Sequence, residues 1–191
     1  MIHQKISKLG FVVLLLTLST FQLSAQIKME RLKITKEISI KLPTSFVPMS
    51  IGEINNKYVS ARKPIAMFTG DNGLIDFGIN KNSTEWAGND LKILKSFYKA
   101  NIQNLFSEVK FIQDDIIEIS EREFVVFEFV SQVSDEQKTF GGIGKPVIKY
   151  TYIMYTLYED NVLLLNFTCD SKLRAEWQPR AEEIMKSVRI K

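Results

Sequence analysis

Apolar and β-branched residues crowd two stretches near the end of the chain, 147–158 and 162–169, parted by the polar triplet Glu159-Asp160-Asn161. Both are rich in Tyr, Ile, Val, Leu and Thr, which fit a pleated surface, so they predict a long hairpin. Side chains alternate faces along a strand, and loop length therefore sets which residues share a face. A three-residue loop, closed by Asn161 in the left-handed region, pairs Tyr158 with Val162, Leu157 with Leu163, Tyr155 with Leu165 and Ile153 with Phe167. That register gathers Ile153, Tyr155, Leu157, Leu163, Leu165, Phe167 and Cys169 on one face. The other face, with Tyr152, Met154, Leu164 and Asn166, is too apolar for a solvated sheet, so both faces are expected to be covered.

Two helical patterns can supply the cover. Over 90–106, Leu91, Leu94, Phe97, Tyr98, Ile102 and Leu105 form one broad stripe, with Asn89 or Asp90 as cap. Lys92, Ser96, Lys99 and Gln103 line the other side as a solvated face. Over 171–187, Trp177, Ala181, Ile184, Met185 and Val188 recur at helical spacing. Pro179 is expected to break the first turn there and to start the main segment. Upstream, Met29–Leu42 reads as a half-exposed strand that Pro43 stops, Ile34, Ile38, Ile40 and Leu42 alternating with polar residues at its end, and 44–64 reads as loop. Further hairpins are expected around Gly70-Asp71-Asn72-Gly73 and around 120–123. The set predicts an α+β fold: a mainly antiparallel sheet between helices at about 90–106 and 171–187, an α/β/α sandwich.

Residues 1–25 stand apart. Lys5 and Lys8 precede an apolar run at 9–18, and Leu23-Ser24-Ala25 ends in a small residue, the layout of a secretory signal peptide cleaved before Gln26. The run is shorter than the ~20 residues that a spanning helix needs, so no membrane span is expected after cleavage. No cysteine follows it, which excludes a lipidated N-terminus. A single domain over 26–191 remains, large enough for a full core. Loss of Lys5 and Lys8 brings the 25 Lys+Arg to within one of the 22 Asp+Glu, so no electrostatic case exists for nucleic acid as a partner. The one cysteine, Cys169, precludes an internal disulfide and reads as a small buried hydrophobe.

Candidate chemistry is sparse. The one histidine is His3, inside the leader, so histidine-based nucleophilic systems and histidine-ligated zinc are excluded for the exported chain. No metal or cofactor is expected. Asp71, Asn72 and Asp76 lack the further oxygen donors of a calcium loop. Glu118 and Glu128, each among apolar neighbours, could form a carboxylate pair for a hydrolase, but an exposed face for both is the favoured reading. Phe140, Gly141, Gly142, Ile143, Gly144 and Lys145 look superficially like a phosphate loop. They fail, because the first glycine is misplaced and Pro146 stands where Ser or Thr must hold magnesium. The stretch reads instead as a mobile connection and as the candidate binding loop. A second candidate is an apolar ligand pocket lined by Tyr150, Tyr152, Met154 and Trp177.

Taken in order, the elements resemble the PsbP/DcrB-like family. The resemblance rests on Ile38-Ser39-Ile40-Lys41-Leu42-Pro43 followed by Phe46, on the Asp71-Asn72-Gly73 hairpin and on the amphipathic helix at 90–106. The tyrosine-rich hairpin and a last helix ending Glu183-Ile184-Met185-Lys186-Ser187-Val188-Arg189-Ile190 complete it. It implies an antiparallel sheet between helices and a largely non-enzymatic role. Together with the leader and the absence of histidine from the exported chain, the expectation is an exported binding or assembly module of the cell envelope with a protein partner there. The composition and the Ala25-Gln26 junction look like an exported bacterial protein. An apolar-ligand carrier and a carboxylate hydrolase are the alternatives.

Overall fold

The computed structural model describes residues 27–58, 63–82, 86, 90–133 and 146–191. The expected leader, the cap alternative Asn89 and the glycine-rich stretch 140–145 lie outside these residues.

In chain order the elements are β1 (Met29–Lys33), β2 (Ile38–Pro43), β3 (Val47–Pro48), α1 (Ile51–Lys57), β4 (Ala66–Gly70), β5 (Ile75–Lys81) and α2 (Leu91–Leu105). There follow β6 (Glu108–Ile119), β7 (Arg122–Val133), β8 (Val147–Tyr158), β9 (Asn161–Asp170), α3 (Arg174–Lys186) and β10 (Arg189–Ile190). Seven strands form one sheet in the order β3-β4-β5-β9-β8-β7-β6, and β1-β2-β10 form a small second sheet. Every pairing is antiparallel. The expected α+β sandwich is the observed architecture.

The central hairpin closes differently from the sequence expectation. Glu159 and Asp160 both take positive φ, at 49° and 57°, and form a two-residue turn. Such a turn matches the right-handed twist of the strands. Asn161 is the first residue of β9, and its side-chain amide donates to the Glu159 carbonyl at 2.6 Å. Tyr158 therefore faces Asn161, Met154 faces Leu165 and Tyr152 faces Phe167. Tyr152 and Met154 join Leu163, Leu165, Phe167 and Cys169 on one face, while Ile153, Tyr155 and Leu157 move to the opposite one. The β8 sequence is apolar on both sides, so hydrophobicity alone tolerates either register.

On the first face, α3 and the small sheet bury Leu165 and Phe167 with Ile184, Met185, Ile38 and Ile40. Pro179 does not break α3; it sits inside it. Its missing N–H, five residues after the helix start, leaves the Ala175 carbonyl without its helical donor, and the buried Trp177, Ala181, Ile184 and Met185 fasten the helix on both sides of it. A short 3₁₀ turn, Ser171–Leu173, leads in, with the Asp170 carboxylate accepting from the Lys172 amide at 2.9 Å.

On the second face, Asp90 caps α2 by accepting from the amides of Lys92 and Ile93. Leu94 and Ile102 are buried over Val125, Phe127 and Phe129, with Leu91 and Tyr98 at their flanks. The stripe is narrower than its sequence suggests. Phe97 is 49% exposed and packs on Tyr98 and Trp86, and Leu105 is 72% exposed at the end of the helix. The lysine side is not simply solvated either. Lys95 and Lys99 both reach Asp114 on β6, and Lys99 also lies over the Phe111 ring. Burial pushes the Asp114 carboxyl up, but the two ammonium groups outweigh it and hold it below its usual range.

Two elements differ in kind from expectation. The segment expected as one strand ending at Pro43 is the β1–β2 hairpin, and the loop at 44–64 contains α1. Ser50 and Glu53 bond reciprocally at its start, Ser50 Oγ accepting from the Glu53 amide and Glu53 Oε2 from the Ser50 amide. This is a capping box.

Candidate functional site

The pocket expected around Tyr150, Tyr152, Met154 and Trp177 is solid core. The first three are at most 1% exposed, and Trp177 stacks on Phe167 at 6.0 Å between ring centroids. Glu118 and Glu128 do not form a pair. Glu118 is exposed opposite Glu123, whereas Glu128 lies five residues further along β7, ~17 Å at strand rise. The expectation of an exposed face for both fails at Glu128. It is buried beneath α3 and accepts from the Tyr150 hydroxyl at 3.0 Å. Burial raises the Glu128 pKa, and this hydrogen bond and the Arg174 charge oppose the rise. Asp76, from the weighed calcium loop, is engaged by the Lys57 ammonium at 2.7 Å and by the Tyr58 hydroxyl. Among the described residues, no group of three or more His, Cys, Asp or Glu is placed to hold a metal ion.

An apolar concave feature lies on the second face. Helix α2 covers β6, β7 and β8, and α1 lies over the other end of the sheet. Between them part of β5 and β9 is left as the floor of a groove of about 470 Å³. Strand alternation puts Phe77 and Ile79 into the core and turns Gly78 and Asn80 into the groove. On β9 the same alternation turns Leu164 and Asn166 upward. Ile54 and Tyr58 of α1 and its following residue form one wall, and Tyr98 of α2 the other.

Three features give the groove its chemistry. Tyr98 stacks on Tyr155 at 3.8 Å between centroids, a flat aromatic end wall. Gly78 leaves room for Met67 to lie down on the sheet, since a Cβ at this position would come within 2.3 Å of the Met67 sulfur. A flexible thioether thus forms part of the lining, where it can adapt to what it meets. Among the described residues the polar groups are the amides of Asn80, Asn82 and Asn166, the ammonium groups of Lys63 and Lys81, and the hydroxyls of the lining tyrosines, those of Tyr58 and Tyr98 being already bonded to Asp76 and Asn82. Lining of this kind, apolar with a few fixed polar groups, is typical of small-molecule sites. The lining comes from separate stretches of the chain, and no local motif announces it.

No protein-family model matches the sequence, and no curated protein matches it. Solved structures do. The cyanobacterial PsbP, CyanoP, of Synechocystis superposes with a TM-score of 0.59 at 8% identity, over 92% of this chain and 99% of that one. The fold is Mog1p/PsbP-like. The yeast Ran-binding protein Mog1p follows at 0.52 and 9% identity, covering 86% of this chain and 96% of its own. LpqN of Mycobacterium tuberculosis, described as involved in cell envelope biogenesis, gives 0.51 at 12% identity over 86% of this chain and 91% of that one. At these identities the Mog1p/PsbP-like likeness concerns the fold. Among the described residues, no helix is long and apolar enough to cross a membrane.

Proposed function

We propose that the protein is a non-enzymatic binding module of the cell envelope that works by holding a ligand in the groove between α1 and α2. The observation that carries this reading is the groove itself: a concave, mostly apolar lining with a few amides and ammonium groups and, among the described residues, no carboxylate. Such a surface can orient and retain a molecule, yet it offers no acid–base pair to act on one. Glu128, a buried carboxylate, lies on the other side of the sheet. The export half of the proposal rests on the leader pattern at 1–25, and the fold shared with LpqN and the Ran-binding Mog1p is in keeping with a binding role.

The test is native mass spectrometry of the protein purified gently from its own cells. A co-purifying small molecule is expected on the unaltered chain, and its loss is expected in Leu164→Trp, whose ring takes up the groove floor. If the unaltered chain carries the same adduct as a correctly folded Leu164→Trp variant, the groove is not the working site.

A further inference from the structure

The groove's polar groups are unevenly satisfied, and the pattern of what is left over describes an occupant. Asn166 stands on the floor between Gly78 of β5 and Ile153 of β8. Glycine has no side chain and isoleucine no donor, so neither neighbour can meet its amide. Its carboxamide oxygen is indeed sealed from solvent with no hydrogen-bond partner among the described residues. A buried acceptor without a donor is costly, and a ligand bringing an O–H or N–H to it removes that cost.

Charge gives the second constraint. Among the described residues fourteen line the groove; Lys63 and Lys81 are among them, and no Asp or Glu is. Lys81 is taken by Glu159 at 2.5 Å and lies over the Tyr158 ring. Asp76, just below the lining, is neutralised by Lys57. Lys63, exposed between α1 and β4, has no ion-pair partner among the described residues. The remaining surface is the apolar body of Leu164, Val162, Ile54 and Met67 against the Tyr98–Tyr155 stack. The volume, about 470 Å³, is that of a site for a small molecule.

Resting on the groove as the working site, we propose that its ligand is a small amphipathic carboxylic acid bearing a hydroxyl or amide N–H: apolar body along β9, carboxylate at Lys63, donor on Asn166. The three contacts divide the work. Burial of the body supplies affinity, the donor fixes depth by satisfying the orphan oxygen, and the ammonium at the rim selects the acid over its neutral analogue.

Isothermal titration calorimetry of the purified chain with β-hydroxydecanoate, decanoate and decanamide tests each part. β-Hydroxydecanoate is expected to bind best, decanoate next and decanamide weakest. Lys63→Gln, a change at an exposed residue, should weaken both acids by about fivefold or more and leave decanamide unmoved. Asn166→Leu should erase the preference for β-hydroxydecanoate over decanoate. Because Lys63→Gln is read independently, a poorly folded Asn166→Leu protein does not protect the proposal. If decanamide binds as well as decanoate and Lys63→Gln changes nothing, the acid assignment falls while the groove stands. If none of the three binds, or if binding survives Leu164→Trp but is lost on changing the exposed Ile93 and Phe97 of α2 to serine, the groove falls with it.

Discussion

Leu164 and Leu165 are neighbours in β9 with opposite surroundings. Leu165 is fully buried in the cluster that includes Ile184 and Met185 of α3, whereas Leu164 is half-buried on the groove floor. Leu165→Ala is expected to cost ~2–5 kcal/mol, and Leu164→Ala distinctly less than the lower end of that range, because its site is already partly open. Urea denaturation of both variants checks the difference, and equal losses would contradict the open floor. Glu128 offers a test by pH. Burial beneath α3 and the nearby Glu182 charge raise its folded pKa, with Arg174 and hydrogen bonds from Tyr150 and Gln178 in opposition. A carboxyl with a raised folded pKa is held more tightly as the neutral acid in the folded state, so folding takes up a proton between the unfolded and folded values. Stability from this group is therefore lost as pH rises through that window. Glu128→Gln keeps an acceptor for Tyr150 and removes the charge. Its melting temperature should exceed that of the unaltered chain at neutral pH, with the gap closing as the pH is lowered. A gap that is constant with pH would mean that Glu128 is not the titrating group.

At the scale of elements, the β8–β9 turn is the informative case. Its left-handed positions are held by Glu159 and Asp160, residue types that pay to adopt positive φ. Replacing the pair with Asn-Gly should stabilise the hairpin by ~1 kcal/mol without changing register, after allowing for loss of the exposed Lys81–Glu159 pair. Thermal melts measure the gain; destabilisation would indicate that a different turn closes the hairpin. The same residues explain why the register was not legible from the sequence. Asn161 is the more usual left-handed residue, and Tyr152, Met154, Ile153 and Tyr155 are apolar on both faces, so neither turn chemistry nor alternation favoured the shorter loop. What was legible followed from strong periodicity: α2 and its cap Asp90, the Asp71-Asn72-Gly73 turn, and the last helix beneath the sheet. Helix α1 was hidden because none of its residues is buried and it has no apolar stripe. The Ser50-x-x-Glu53 pattern was its one sequence signal. The groove was less legible still, since Tyr58, Gly78, Tyr98 and Asn166 meet only through the order of strands in the sheet.

At the scale of the whole molecule, the seven-stranded sheet carries a separate apolar layer on each side, one of them shared with the small three-stranded sheet. The two tryptophans of the chain sit on opposite sides: Trp177 on the buried face of α3 against Phe46 and Phe167, and Trp86 against Phe97 beside α2. Single-tryptophan variants, Trp86→Phe and Trp177→Phe, therefore read the two layers separately by fluorescence. Because β8 and β9 contribute side chains to both layers, each variant's fluorescence and circular dichroism transitions should coincide. A Trp86 signal that melts ahead of the backbone signal would show that the α2 layer can leave while the sheet persists.

Cys169 lies in the middle of that sheet, paired with Ile75 on one side and Tyr150 on the other, and is fully buried. Burial pushes its pKa up to about 12, so the nucleophilic thiolate is scarce while the fold is closed. Its side chain packs in the layer between the sheet and α3, so reaching it requires lifting that layer rather than moving a surface loop. The rate at which a thiol reagent labels the native protein is thus a clock for opening of the α3 layer, readable at neutral pH without denaturant. When closing outpaces labelling, that rate follows the equilibrium between closed and open forms. A ligand seated over β5 and β9 should slow the clock by the factor with which it favours the closed form, reporting occupancy from the opposite side of the sheet.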